Sequence, residues 1–80
     1  MTHTLKIWPE YYAAVRDGRK TFEVRRNDRD YRPGDVLVLQ EWNPQTEQYT
    51  GEETTVCVIY VSDCRPFIPE GIVVMSIEQQ

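Results

Sequence analysis

Apolar positions along this chain follow two rhythms. Leu5-Lys6-Ile7-Trp8 alternates apolar and polar, as a short half-buried strand does. Pro9 comes next, and proline suits the first turn of a helix, where Glu10 also complements the dipole. Tyr11, Ala14 and Val15 recur at helical spacing, Arg16 falls in the last turn, and Gly18 stands where a C-terminal cap belongs. The pattern predicts a short helix over residues 9–17. The period then changes to two. Thr21-Phe22-Glu23-Val24-Arg25 predicts a strand with Phe22 and Val24 on a dry face and Thr21, Glu23 and Arg25 on a polar one.

Asn27-Asp28-Arg29-Asp30 reads as a polar loop and Pro33-Gly34-Asp35 as a turn, because proline fixes φ and glycine supplies a positive one. Val36-Leu37-Val38-Leu39 is a continuous apolar run, as for a strand buried on both faces, and it extends towards Trp42. Residues 43–53 are polar, contain Pro44 and Gly51, and predict a long hairpin loop. Residues 54–61 carry the strongest strand signal. Residues 62–71 hold Pro66 and Pro69 and predict a loop across one end of the fold. Residues 72–77 predict a last buried strand, with Gln79 and Gln80 fraying. The order is β-α-β-β-β-β. A flat sheet would leave a bare face, so an α+β, mainly β architecture is expected: a small, partly open β-barrel of about five strands with one short N-terminal helix as a cap.

Length and composition narrow this picture. Eighty residues make one domain, residues 1–80, with a thin core. A 40% hydrophobic content is enough to fold. No apolar run is long enough to span a membrane, and the N-terminus lacks the apolar core of a signal peptide, so a cytoplasmic location is expected. Cys57, Cys64 and the single His3 have no zinc-ligand spacing; no metal and no cofactor is expected. A disulfide is not expected in a reducing compartment, and His3, near a terminus, reads as solvated.

Charge changes the picture more. The net charge is −4, yet seven of the nine basic residues fall between positions 16 and 32. Residues 1–32 hold eight bases and five acids, while residues 33–80 hold eight acids and only Arg65. Such polarity within one small domain suits an anionic partner at one end. It equally suits a solvated face on which Asp17, Glu23, Asp28 and Asp30 neutralise their arginine neighbours.

Within the basic segment, Gly18-Arg19-Lys20-Thr21-Phe22-Glu23-Val24-Arg25 forms the pattern G-x-K-x-x-E-x-R. Gly18 permits a tight helix-to-strand turn that sets Lys20 at a barrel mouth. Glu23 and Arg25 share one strand face. Together they suit a base with its phosphate: Lys20 as a point charge, Arg25 as a planar fork, Glu23 as acceptor for an exocyclic amine. Thr21 adjoins them, Arg26 and Arg29 extend the charge as a phosphate track with Arg32, and Trp42 or Tyr49 offers a ring for stacking. Tyr31 is the one aromatic interleaved with that track. The plainer readings are a structural Glu23–Arg25 ion pair, and Trp8 and Trp42 as plugs of the barrel end.

This stretch resembles the signature of the ASCH domains of the PUA-like superfamily. The element order agrees, as do Gly34-Asp35 before a hydrophobic strand and the closing Gly71-Ile72-Val73-Val74-Met75-Ser76-Ile77. Nearly the whole chain resembles the shortest branch, small bacterial and phage proteins carrying a domain of unknown function. The resemblance implies an RNA- or nucleotide-binding module with its cleft beside the motif. Some members of similar fold are amidohydrolases that cleave N4-acylated cytidine with a Lys, a Thr and a Glu. Lys20 matches the lysine, but Glu23 stands where the catalytic Thr falls, Thr21 lies at a different step, and Glu70 is the nearest candidate for the third residue. Catalysis would then require Glu23 as base and Lys20 as oxyanion partner. A third reading is a protein-interaction factor that binds a protein partner through acidic residues 41–53.

Overall fold

The computed structural model describes all 80 residues. The element order is β1 (Thr2–Ile7), α1 (Pro9–Arg16), β2 (Phe22–Arg26), β3 (Val36–Asn43), β4 (Gln48–Ser62) and β5 (Ile72–Gln79). The five strands form one sheet in the order β1-β3-β4-β5-β2, with β1 parallel to β3 and the other pairs antiparallel. The sheet curls around a core of Leu5, Ile7, Leu37, Leu39, Val56, Val58, Val73, Met75 and Ile77, which α1 covers with Tyr12 and Val15. It is the expected mainly β fold, an open half-barrel with one short helix. Its two edges, β1 and β2, do not pair with each other.

The helix begins at Pro9, with Tyr12 N–H donating to the Trp8 carbonyl at 2.9 Å. It ends because Gly18 adopts a φ of 85°, and Lys20 N–H then turns back to the Ala14 carbonyl at 2.9 Å. Gln79 does not fray. It belongs to β5, and its side-chain amide donates to the Val15 and Arg16 carbonyls, satisfying the exposed end of the helix.

Three further expectations are corrected. Val36 and Val38 are half-buried while Leu37 and Leu39 are fully buried, so β3 has one core face rather than two. Residues 43–53 are not a long loop. The β3–β4 hairpin continues through them and turns only at residues 44–47, where Glu47 N–H returns to the Asn43 carbonyl at 2.8 Å. His3 is buried rather than solvated, because β1 starts at Thr2 and turns its odd positions inward. Its Nε2 donates to Asp35 Oδ2 at 2.8 Å, and its ring meets Tyr31 edge-on at 4.9 Å between centroids. Tyr31 is correspondingly in the core, only 4% exposed. Both cysteines are free. No helix is long and apolar enough to cross a membrane.

Candidate functional site

The faces of β2 are the reverse of those its hydropathy predicts. Phe22 and Val24 are 44% and 48% exposed, whereas Glu23 is 3% exposed. The strand directs its carboxylate inward, towards the mouth of the half-barrel, and leaves its apolar positions outside. Two cations make this tolerable, since a buried carboxylate without partners would cost several kcal/mol. Lys20 Nζ donates to Glu23 Oε1 at 2.9 Å, and Arg25 Nε donates to Oε2 at 2.7 Å. Each oxygen thus has its own cation, and the triad keeps one net positive charge.

The cations are themselves fixed. Lys20 Nζ also donates to the Phe22 carbonyl at 2.8 Å and lies 4.8 Å from the Phe22 ring centroid and 5.7 Å from that of Tyr11. Arg25 Nη2 donates to the Lys6 carbonyl at 2.7 Å. Arg29 Nη1 repeats the contact one step along β1, to the Thr4 carbonyl at 3.1 Å. One guanidinium, from Arg25, therefore bridges β2 to the edge of β1, and a second, from Arg29, ties the segment after β2 to the same edge.

Above the triad lies a cleft of about 530 Å³ lined by Lys6, Ile7, Trp8, Tyr11, Lys20, Phe22, Glu23, Val24 and Arg25. Its walls are the half-exposed rings of Trp8, Tyr11 and Phe22; its charge is three cations against one carboxylate. Lys20 Nζ retains one proton and Arg25 its whole Nη1 group without a protein acceptor. The arrangement suits a flat ring with polar edges and an attached negative charge.

The sequence-predicted residues divide around this cleft. Lys20, Glu23 and Arg25 come together in it. Thr21 opens onto a neighbouring depression with Gly18 and Ser76. Arg26 and Arg29 line a third, smaller one that shares Arg25 with the cleft. Trp42 is outside the lining, but Lys6 Nζ lies 4.0 Å from its ring centroid and so connects it to the rim. Glu70 is exposed in the 63–71 segment and does not reach the cleft. No serine, threonine or cysteine lines the cleft. Sequence reasoning missed Lys6, Trp8 and Tyr11 as lining residues. The signal was there: Trp8 and Pro9 join the β1 edge to the helix directly, which carries Tyr11 to the same mouth.

The basic run also resolves into paired and unpaired members. Arg19 is held by Asp17 at 2.8 Å, Arg32 by Asp30 at 2.8 Å and Arg65 by Asp63 at 2.9 Å. These pairs hold Asp17 below and Arg32 above their ordinary pKa values, through their side-chain hydrogen bonds to Arg19 and Asp30 respectively. Arg26 and Arg29 have no carboxylate within ion-pair distance, and neither Asp28 nor any other acid neutralises them. No group of three His, Cys, Asp or Glu side chains is arranged to hold a metal ion.

The same fold occurs in the crystal structure of the hypothetical protein PH0355. That chain superposes with a TM-score of 0.69 over the full length of both, at 17% identity. An uncharacterised 12.9 kDa protein from the GpA 3′ region of Escherichia phage P2 is 29% identical over 75 residues, 94% of this chain and 67% of the phage protein. Residues 2–77, which include β1, the helix and every cleft residue, match a domain of unknown function, DUF3850, and the chain belongs to that family.

Proposed function

We propose that this chain is an ASCH-like, PUA-like module that binds a nucleotide, free or within single-stranded RNA, with the base in the cleft above Glu23. One observation carries the reading: a carboxylate only 3% exposed, clamped by Lys20 and Arg25, forms the floor of a groove with three half-exposed aromatic rings. A purely structural ion pair gains little from such burial, because apolar residues of similar volume commonly stabilise as well or better. A recognition site gains from it. Fixed charges beneath a stacking surface discriminate base edges, and each stacked base adds about 1–3 kcal/mol. Glu23 accepts from an exocyclic amine through its remaining lone pairs, Arg25 Nη1 donates to a carbonyl or phosphate oxygen, and Trp8 or Tyr11 covers the ring.

Trp8 supplies the assay. With Trp42→Phe removing the second indole, emission is followed during titration with the four ribonucleosides and a short single-stranded RNA. Quenching is expected, with an RNA affinity that falls as salt rises, through counterion release. Lys20→Ala weakens binding. Unchanged Trp8 emission at millimolar nucleoside and micromolar RNA would falsify the assignment.

A further inference from the structure

Beside the cleft, and sharing Arg25 with it, lies a compact depression of about 200 Å³ lined by Leu5, Arg25, Arg26, Asp28, Arg29 and Tyr31. Three arginines line it together with one acid, Asp28, which forms no ion pair. The Arg26 side chain donates to nothing in the protein, and that of Arg29 uses only Nη1, on the Thr4 carbonyl. Arg19 and Arg32 each pair with an aspartate two residues away and Arg25 pairs with Glu23, so Arg26 and Arg29, like Arg16 at the helix end, are left without a carboxylate.

Tyr31 is the second, independent observation. Its side chain is 96% out of solvent, fixed by the edge-on contact with His3, and the His3–Asp35 hydrogen bond fixes that ring in turn. The hydroxyl has no protein partner: the residue's only side-chain-mediated bond is from its backbone N–H to Asn27 Oδ1. Yet Tyr31 lines the depression, close enough to Arg25 and Arg29 that both favour its ionised form, although burial dominates and raises its pKa. The ring is buried while the hydroxyl, which has no protein partner, stays accessible at the depression, where it can donate to an oxygen anion beside the arginines.

We infer that this depression is a phosphate subsite, in which Arg25, Arg26, Arg29 and the Tyr31 hydroxyl hold the phosphate of the nucleotide whose base occupies the adjoining cleft. The inference rests on the cleft reading for the base, but the anion chemistry stands by itself. Arg25 links the two, with Nε on Glu23 beneath the base and Nη1 free for the phosphate. The depression is less than half the cleft's volume and is walled mainly by charge, so it fits one phosphate and not a second base.

The test compares each ribonucleoside with its 5′- and 3′-monophosphates by calorimetry. Inorganic phosphate is followed separately by amide chemical shifts of residues 25–31. A monophosphate is expected to bind about tenfold or more tightly than its nucleoside, as charge-assisted bonds to the phosphate require. Arg26→Ala, which removes an exposed side chain with no partner, and Tyr31→Phe, which removes only the hydroxyl, each bring that ratio towards one without weakening the nucleoside. Inorganic phosphate shifts the 25–31 amides in the wild type and not in Arg26→Ala. If nucleosides bind and the phosphate adds nothing, the subsite is refuted while the cleft stands. If phosphate binds in an Arg26-dependent way and nucleosides do not, the subsite stands and the cleft reading fails. Absence of both refutes both.

Discussion

Replacing Glu23 with glutamine tests how the cleft is held. The substitution preserves volume but removes the one charge that keeps Lys20 and Arg25 side by side. Glutamine presents one acceptor where the carboxylate presented two, and its amide N–H₂ must face a cation. Breaking a fully buried pair from one side costs about 3–5 kcal/mol. Here the cations are not fully buried, with 15% and 23% of their side-chain surface exposed, so each recovers part of its hydration. About 2–3 kcal/mol is the expected loss. In a domain of this size that lowers Tm by roughly 8–24 °C. Thermal and urea unfolding followed by circular dichroism measure it directly. The triple substitution Lys20→Met, Glu23→Leu, Arg25→Met should recover most of the lost stability, because apolar replacement removes the desolvation cost together with the pairing. It should not recover ligand binding. A Glu23→Gln protein that melts within about 2 °C of wild type would show that the carboxylate does not organise the mouth, and the reasoning would fail at its first step.

Two other outcomes follow from packing and charge. Val24→Ser should change stability by less than about 0.5 kcal/mol, while Leu37→Ala should cost about 2–5 kcal/mol; comparable losses would mean that β2 does not face as described. Asp35 is held down to a pKa of about 2, first by the hydrogen bond to His3 and then by the Arg32 N–H and the N-terminal ammonium. A depressed carboxyl stabilises the fold fully above its ordinary value of 3.8 and loses that contribution as pH falls towards 2. Tm measured against pH should therefore drop across that interval, and Asp35→Asn should flatten the drop; an unchanged acid limb in the variant would exclude Asp35 as its source.

Element order was legible because its signals are local. Pro9 and Gly18 bracket the helix, and the β-branched run at residues 54–61 marks the longest strand. The motif residues Lys20, Glu23 and Arg25 were legible as a group because their spacing brings them onto one side of a turn and a strand. Their setting was not. Alternation fixes which residues share a face but says nothing of which face is inside, and at a barrel mouth the polar face can be the inner one once cations satisfy it. The same limit hid His3, which bonds to Asp35 more than thirty residues away in the chain, and Tyr31, which packs against the His3 ring. The hairpin at residues 43–53 was hidden by composition, since both strands are polar where they extend beyond the core.

The seam between β1 and β2 has a consequence for how the molecule behaves in a crowded solution. Unpaired strand edges are templates on which other chains add strands, and this fold has two of them facing one gap. Arg25 and Arg29 cap the β1 carbonyls at Lys6 and Thr4, so an incoming strand would have to displace charged, hydrogen-bonded groups before it could pair. The arginines proposed to bind an anion at the mouth thereby also oppose edge-to-edge strand addition. A variant stripped of them would suffer first in solubility, with its fold still intact.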